Sequence, residues 1–373
     1  MTSRPRVVIV GPVFPYRAGI AYCTTRLAQE LEKSCDVSIV SFSRQYPKKF
    51  YPGGSDIDET LRDQTPSNAR FLLDVVNPLT WTATAWGIRR AKPDAVILVW
   101  WIWVWALPYL VLIRALSRRT KVILQCHNIA DKEPARWKSI LTNRVLRRGD
   151  VLVVHAESEL VQAVKRAGGR RIVTAQLPVH ELGREIPTRH HAKSHLAVDG
   201  LNVALFFGHV RPFKGLDIAL RAWTKLKTGV VLLVAGEAWF ESEKEYRELA
   251  KGMHNVRFDF RFIPDSEIAT WFAAADVVIA PYRAEAQSGV ALTAFHFARP
   301  VIATRVGGLP QIIRNGVNGL LIAPEDPDAL AAAVDTFFTE SDRQAMEQAA
   351  AESAKRNSWE DYGNRFSRLV HEP

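Results

Sequence analysis

The stretch FFGHVRPFKG, residues 206–215, decides the fold class of this chain. It continues an apolar run over 203–207, breaks at Gly208, and presents Arg211 and Lys214 before the next glycine. A buried strand that ends in a glycine turn ahead of a helical pattern is typical of a parallel sheet covered by helices. Two cations three residues apart suit a diphosphate, because Arg binds two oxygens at once and Lys adds a compact charge. The alternative is a basic loop on a solvated surface.

The same alternation of short apolar runs and helical patterns extends outward through both halves of the chain. The predicted strands are 7–10, 37–42, 95–99, 121–126, 151–155, 203–207, 230–235, 256–260, 276–280, 301–304 and 319–322. Residues 181–199 are polar and non-periodic, which is typical of an interdomain linker. We therefore predict an α/β protein with two Rossmann-like parallel-sheet domains, 1–180 and 200–358, facing across a cleft. An amphipathic helix within 359–373 is expected to pack back on the first domain.

The charge of the chain is divided unevenly. Residues 1–180 hold 27 Lys and Arg against 14 Asp and Glu, whereas residues 181–373 hold 22 against 25. A basic half suits an anionic partner such as membrane phospholipid, a lipid diphosphate or nucleic acid, and its alternative is a solubilising surface. No nucleic-acid recognition motif accompanies the charge, so no nucleic-acid partner is expected. Three cysteines without metal or disulfide spacing, and no signal-peptide pattern, favour a cytoplasmic protein.

An uncharged stretch of 18 residues, 96–113, stands at the lower limit of transmembrane length. Pro108 interrupts it, so we predict a buried strand, a tryptophan-rich loop and an apolar helix over 108–116 rather than a membrane span. Tryptophan settles at bilayer interfaces. The first domain is therefore expected to contact the cytoplasmic face of a membrane peripherally.

Three further turns are candidates for phosphate or nucleoside binding. Gly19 opens a helix after the first strand, so the free N–H groups of Gly19 and Ile20 can hold a phosphate. The turn 235–237 allows close backbone approach to a nucleoside at Glu237. Ser288 and Gly289 begin another predicted helix, which gives a second cluster of N–H donors. Each turn, taken alone, is also compatible with an ordinary strand-to-helix connection.

Four motifs follow one another within residues 206–324: FGHVRPFKG, PYRAEAQSG, RPVIATRVGGLP and NGVNGLLIAP. With them the chain resembles the retaining glycosyltransferases of family 4, which have the GT-B fold. The likeness extends more weakly to GPVFPYRAGIA at 11–21 and CHNIADKE at 126–133. It implies transfer of a sugar from a UDP- or GDP-sugar to a lipid-linked or anionic glycan acceptor in polysaccharide or glycolipid biosynthesis. It also implies no catalytic metal and no cofactor.

The resemblance assigns roles to individual residues. Arg211 and Lys214 would bind the donor diphosphate, Gly19 would approach it from the first domain, and His127 would lie against the donor sugar. Family members commonly carry two glutamates eight residues apart; Glu285 occupies the first place, but Thr293 stands at the second. The remaining residues implied in donor binding are Ile20, Gly208, Glu237, Ser288, Gly289 and Val290.

Three alternatives compete with this interpretation. A metal-dependent transferase is suggested by Asp56-Ile57-Asp58, which we interpret as solvated surface because it lies in a glycine-rich polar loop. A dinucleotide-dependent dehydrogenase would need a G-x-G-x-x-G turn followed by an acidic residue, and no predicted strand leads into one. A non-catalytic nucleotide-sugar-binding or scaffold subunit of a glycan assembly system is favoured by Thr293, since a hydroxyl carries no charge.

Overall fold

The computed structural model describes residues 4–17, 19–47, 55–129, 135–180, 186–238, 242–284 and 287–372. The chain forms two compact units. The first comprises Met1–Pro178 together with Asn357–Pro373, and the second comprises Val179–Arg356. Each unit contains one sheet of its own.

The sheet of the first unit has seven parallel strands in the order β3-β2-β1-β4-β5-β6-β7. Its strands are β1 (Arg6–Val10), β2 (Asp36–Arg44), β3 (Ala69–Asp74), β4 (Ala95–Trp100), β5 (Lys121–Cys126), β6 (Val151–Val154) and β7 (Arg171–Thr174). The helices between them are α1 (Gly19–Glu32), α2 (Pro78–Ala91), α3 (Ala106–Ala115), α4 (Arg136–Leu146) and α5 (Glu157–Arg166). This strand order, with its reversal beside β1, is that of a Rossmann-like sheet.

The sheet of the second unit has six parallel strands in the order β10-β9-β8-β11-β12-β13. Its strands are β8 (Asn202–Phe207), β9 (Val230–Ala235), β10 (Val256–Asp259), β11 (Val277–Ala280), β12 (Val301–Thr304) and β13 (Gly319–Ile322). The helices are α6 (Arg189–His195), α7 (Leu216–Trp223), α8 (Ser242–Leu249), α9 (Asp265–Ala274), α10 (Gly289–His296), α11 (Leu309–Ile312), α12 (Pro327–Thr339) and α13 (Arg343–Ala354). The prediction of two Rossmann-like parallel-sheet domains is confirmed.

The sequence analysis missed two strands, β3 and β7, which form the edges of the first sheet. Leu73 is the only buried residue in these two strands, so neither carries the continuous apolar run that identifies a central strand. In contrast, all six residues of β4 are buried, which explains why its sequence AVILVW is so uniformly apolar. The edge strands β10 and β13 of the second sheet were nevertheless predicted, so an edge position alone does not hide a strand.

The interpretation of 181–199 as a linker without periodic structure is wrong for its second half. Residues 189–195 form α6, which Thr188 caps by accepting a hydrogen bond from the backbone N–H of His191. Lys193 forms an ion pair of 2.9 Å with Asp276, and the buried Ala192 packs beside α9. The polar composition hid this helix because only one narrow side of it is covered.

The helix α14 (Trp359–His371) completes the first unit by packing on α1. Trp359 lies edge-on to Tyr22 with ring centroids 5.7 Å apart. The amide of Gln125 donates a hydrogen bond of 2.9 Å to the hydroxyl of Tyr362, which joins the helix to β5. At Gly363 the two helices approach so closely that a Cβ atom would lie 2.4 Å from Cβ of Glu30.

Most of the tryptophan-rich segment forms part of the core of the first unit. Trp100, Trp101 and Trp105 are buried, and Trp105 stacks on Phe42 with ring centroids 4.0 Å apart. The hydroxyl of Tyr109 donates a hydrogen bond of 2.8 Å to the carbonyl oxygen of Val99. In the described part of the chain, no helix is both long enough and apolar enough to cross a bilayer.

The contact between α1 and α14 predicts that Gly363→Ala destabilises the protein. The added methyl group meets Cβ of Glu30, which can move only with its backbone, and such overpacking costs about 1–3 kcal/mol. The matched control is Gly87→Ala in α2, where nothing lies within 4 Å of the added Cβ. Because alanine favours a helix, that variant should be neutral or slightly stabilised. Thermal unfolding of the two variants tests this, and equal melting temperatures would contradict it.

Candidate active site

A basic turn follows β8 at the carboxyl edge of the second sheet. Arg211 precedes the 3₁₀ turn Pro212–Lys214, and the N–H of Lys214 donates a hydrogen bond of 2.8 Å to the carbonyl oxygen of Arg211. Since β8 pairs in parallel with both β9 and β11, the turns after all three strands lie at the same edge. The order of the strands reverses here, which is where ligands bind in sheets of this kind.

Two glycines allow the turns after β8 and β9 to touch. Gly208 and Gly236 have φ angles of 97° and 143°, and a Cβ atom on Gly236 would lie 2.1 Å from the carbonyl oxygen of Gly208. The N–H of Val210 donates to the carbonyl oxygen of Glu237 over 2.9 Å. The carboxylate of Glu237 lies 3.9 Å from Nδ1 of His209. The structure thus brings Gly208 and Glu237 together beside the basic turn.

Lys214 lies against the loop that follows β11. Its Nζ atom is 3.8 Å from the centre of the Tyr282 ring, a cation–π contact with a side chain that is itself buried. The next residue, Gly215, has φ of 71°, and a Cβ atom there would lie 2.0 Å from the carbonyl oxygen of Pro281. Only glycine fits this position, so the basic turn and the loop after β11 are held in direct contact.

Arg283 braces the basic turn, and the sequence analysis did not identify it. Its guanidinium donates to the carbonyl oxygen of Pro212 over 2.6 Å and to both carboxylate oxygens of Asp217 over 2.8 Å. It also pairs with Glu325 at 2.6 Å. Burial opposes the ionisation of Asp217, but the hydrogen bonds and charge of Arg283 outweigh it and lower the pKa of Asp217. No spacing in the sequence signals a pair separated by 66 residues.

The first turn of α10 faces the glycine turns. Ser288 is fully buried and caps the helix, since its hydroxyl accepts a hydrogen bond of 3.3 Å from the N–H of Ala291. The side chain of Val290 lies 3.5 Å from the position that a Cβ atom on Gly208 would occupy. The first N–H groups of a helix have no partner within it and form its positive end. Gly289 and Val290 are therefore placed beside Gly208, and Thr293 follows one turn later as a buried residue.

A buried histidine lies beneath this helix start and was also missed. Cε1 of His180 is 3.2 Å from the position that a Cβ atom on Gly289 would occupy, so any larger residue at 289 would press on the ring. Burial, assisted by the charge of His296, lowers the pKa of His180 to about 4. The imidazole is therefore neutral at pH 7 and adds no charge of its own beside the start of this helix.

The first unit places its own candidates at the carboxyl edge of its sheet. Gly19 and Ile20 open α1 after β1, and His127 follows β5 directly, with its N–H donating to the carbonyl oxygen of Trp100 over 2.8 Å. Two residues further on, the N–H of Ile129 donates to the buried carboxylate of Glu159, which holds the turn in place. These three candidates belong to one unit and the remaining described candidates to the other.

His155 supports His127 from the core. The two imidazole rings have centroids 4.8 Å apart, and Nδ1 of His155 lies 2.8 Å from the carbonyl oxygen of Ala175. Burial lowers the pKa of His155 to about 4 although that hydrogen bond favours the charged form. Nδ1 of the neutral ring therefore donates to Ala175. The carbonyl fixes both the tautomer and the ring orientation.

Two acidic candidates have different outcomes. Glu285 lies outside the described residues. The interpretation of Asp56-Ile57-Asp58 as solvated surface is wrong for Asp58, which is buried and accepts hydrogen bonds from the N–H and hydroxyl of Thr60 over 2.9 and 2.7 Å. It caps the 3₁₀ helix Glu59–Gln64. Within the ranges that the structure describes, no three His, Cys, Asp or Glu side chains come together as a metal site.

Comparisons with known proteins agree with this architecture. The family described as "Glycosyl transferases group 1" matches residues 202–340, which contain the basic turn and α10. A D-inositol 3-phosphate glycosyltransferase from Mycobacterium marinum is 30% identical over 69% of this chain and 57% of its own length. One from Pseudarthrobacter chlorophenolicus is 28% identical over 85% of this chain and 75% of its own length. The chain thus spans less than two thirds of the Mycobacterium marinum protein.

Solved structures share the fold over nearly the whole chain. HepE from Anabaena, in complex with UDP and glucose, aligns with a TM-score of 0.78 at 16% identity and covers 98% of this chain and 99% of that protein. Residues 202–340 are thus similar to the glycosyl transferases of group 1, and the structural neighbours show that the chain shares the GT-B fold.

The burial of His155 predicts a loss of stability in mild acid. Its pKa is lower in the folded protein, about 4, than in the unfolded chain, near 6.5. The neutral ring's contribution is therefore fully present above pH 6.5 and is lost as the pH falls toward 4, by about 3 kcal/mol at most. The pH dependence of the stability of the first unit can be measured by hydrogen exchange of the β5 and β6 backbone amides.

His155→Asn should reduce this dependence, because its amide can still donate to the carbonyl oxygen of Ala175 but takes up no proton. The control is His371→Asn, which replaces an exposed histidine of the same unit whose Nδ1 lies 2.7 Å from a backbone carbonyl oxygen. The control should keep the pH dependence of the parent protein. Identical dependence in all three proteins would exclude titration of His155 as its cause.

Proposed function

We propose that this chain is a retaining glycosyltransferase of family 4 that moves a sugar from a nucleotide sugar to an acceptor hydroxyl. The observation that carries the proposal is the braced basic turn, with Arg211 and Lys214 at the point where the strand order of the second sheet reverses. The family match covers this region. Glycine contacts, the ring of Tyr282 and the guanidinium of Arg283 fix the turn before any ligand binds.

The donor diphosphate is proposed to lie between the basic turn and the first turn of α10. Arg211 and Lys214 supply two positive charges, and the N–H groups of Gly289 and Val290 supply further donors. The diphosphate of a UDP- or GDP-sugar matches this arrangement, and UDP is the nucleotide bound in the HepE complex. Glu237 and Thr293 are placed for the nucleoside, while Glu285 and His127 are proposed to contact the sugar.

The proposed reaction exchanges one glycosidic bond for another. The bond from the anomeric carbon to the diphosphate oxygen breaks, and a bond to the acceptor oxygen forms on the same side. The acceptor's proton passes to the departing diphosphate, whose growing negative charge Arg211 and Lys214 stabilise. Groups fixed in advance around a developing charge contribute several kcal/mol to catalysis. We propose that these two cations serve in place of a metal ion.

The acceptor is proposed to be anionic or lipid-linked, as in polysaccharide or glycolipid biosynthesis. Residues 1–180 carry 27 basic against 14 acidic side chains, which favours a negatively charged molecule. Two relatives are named D-inositol 3-phosphate glycosyltransferases. Inositol 3-phosphate is a phosphorylated polyol and therefore an example of an anionic acceptor. A phosphorylated sugar or polyol therefore ranks first among acceptors to try.

A non-catalytic nucleotide-sugar-binding subunit is the second candidate, and Thr293 favours it. Its side chain is buried on α10 and has no charge with which to hold a ribose. A chain that has lost turnover would bind the nucleotide sugar without releasing the nucleotide.

Nucleotide release from a panel of UDP-, GDP- and ADP-sugars tests the proposed function. We expect slow release from one donor, a faster rate with a phosphorylated acceptor, and a decrease of about a hundredfold or more in Lys214→Ala. The control is Lys251→Ala, which removes an exposed lysine paired with Glu248 in the same unit. Full turnover in Lys214→Ala would contradict the assignment, and donor binding without release would favour the non-catalytic subunit.

Because Arg283 holds the turn that carries Lys214, its replacement should weaken nucleotide binding. Arg283→Ala removes the donors to Pro212 and Asp217, so the dissociation constant of the preferred nucleotide should rise about tenfold or more. Arg283→Lys should not restore it, because an ammonium cannot form the two-pronged pair with Asp217. Arg261→Ala, which breaks an exposed ion pair with Glu267 in the same unit, is the control.

A double-mutant cycle separates positioning from general loss of stability. If Arg283 acts by holding the basic turn, its removal should cost much less in a Lys214→Ala background. Strictly additive effects of the two substitutions on the dissociation constant would contradict this role.

A further inference from the structure

The outer faces of α3 and α4 form one continuous surface with both apolar and basic parts. These neighbouring crossover helices run in the same direction, since each returns from the carboxyl end of one parallel strand to the start of the next. Leu107 in α3 and both Trp137 and Ile140 in α4 are 52%, 51% and 52% exposed. We call this surface, with the arginines at its other end, the α3–α4 face.

The last turns of the same two helices carry a cluster of arginines. A cavity of about 300 Å³ is lined by Leu110, Arg114, Arg144, Arg147 and Arg148. Arg147 donates from Nε to the carbonyl oxygen of Arg166 over 3.3 Å. Among the residues that the structure describes, none of these arginines forms an ion pair with an acidic side chain. Four like charges without a carboxylate repel one another, and a bound anion would relieve that repulsion.

The apolar half of the face is arranged around exposed tryptophan. Trp137 lies edge-on to Trp103 with ring centroids 4.5 Å apart, and Nζ of Lys138 is 5.5 Å from the centre of the Trp103 ring. On the neighbouring α2, Trp86 is 63% exposed and lies under the guanidinium of Arg90 at 5.3 Å. Aromatic rings flanked by basic groups are the side chains that settle at the boundary between lipid headgroups and acyl chains.

We propose that the α3–α4 face docks on a membrane containing anionic phospholipid, with the arginine cavity taking headgroup phosphates. The helices would lie in the plane of the interface, with Leu107, Trp137 and Ile140 among the upper acyl chains. A nucleic acid fits the arginines but would leave these apolar side chains against water. This site is distinct from the proposed donor site and differs from the buried tryptophans Trp100, Trp101 and Trp105, which face the core.

Sedimentation with vesicles tests the proposal on the full chain. We expect binding to phosphatidylcholine vesicles that contain about one third phosphatidylglycerol, weak binding to pure phosphatidylcholine, and weaker binding at high salt. Each arginine near such a surface contributes roughly fivefold to partitioning. The triple variant Arg114→Gln/Arg144→Gln/Arg148→Gln should therefore bind at least about tenfold more weakly.

The control has the same net charge but leaves the face intact. Arg4→Gln/Arg62→Gln/Arg70→Gln changes three exposed arginines of the first unit that lie on neither helix, and it should stay within about twofold of the parent protein. Trp137→Ala/Ile140→Ser tests the apolar half and should reduce binding even at low salt. Brominated lipid should quench less of the tryptophan fluorescence in Trp137→Phe than in the parent protein.

Several outcomes would overturn the proposal. These are failure of the parent protein to bind anionic vesicles at low salt, equal losses in the two triple variants, and vesicle binding unaffected by either change to the face. Loss of binding to an oligonucleotide but not to vesicles in the arginine triple variant would assign the face to nucleic acid instead. Because nucleotide release from soluble donors needs no vesicle, failure of this proposal and failure of the proposed function are distinguishable.

Discussion

Parallel pairing of β8 with β9 and β11 is the constraint on which the candidate active site depends. Neighbouring parallel strands end at the same edge, so turns from positions as distant as 208, 236 and 281 meet there. The strand order reverses beside β8, which opens a space between the connections that depart on opposite sides. The basic turn, the glycine contacts and the start of α10 all occupy that space.

Close backbone contacts hold the turns together at this edge. Gly236 and Gly215 allow carbonyl oxygens of Gly208 and Pro281 to come within the volume of an ordinary side chain. Arg283 adds hydrogen bonds to Pro212 and Asp217. The cations are thus presented by backbone that close contacts and hydrogen bonds hold in place, which suits their proposed stabilisation of a departing anion. In the first unit, the carboxylate of Glu159 likewise holds the turn after His127 by accepting a hydrogen bond from the N–H of Ile129.

The first unit has its candidate site residues and its arginine cluster in two different places. Its carboxyl edge carries Gly19, Ile20 and His127, whereas its excess positive charge includes the arginine cluster at the far ends of α3 and α4. The tryptophans divide in the same way. Those next to β4 fill the core, while Trp137 and Trp86 remain exposed on helices. Composition alone does not distinguish these two uses of the same residue type.

The sequence by itself determined the two parallel sheets, the central strands within one or two residues, and the glycine and basic turns of the candidate site. It could do so because buried strands, glycine turns and strand-to-helix connections are local patterns. Only the tertiary structure revealed Arg283, His155 and His180, the edge strands β3 and β7, and the helix α6. Their environments come from residues far away in the chain, such as Asp217 for Arg283 and Ala175 for His155. Burial and pairing depend on which distant segments meet, and no local pattern encodes that.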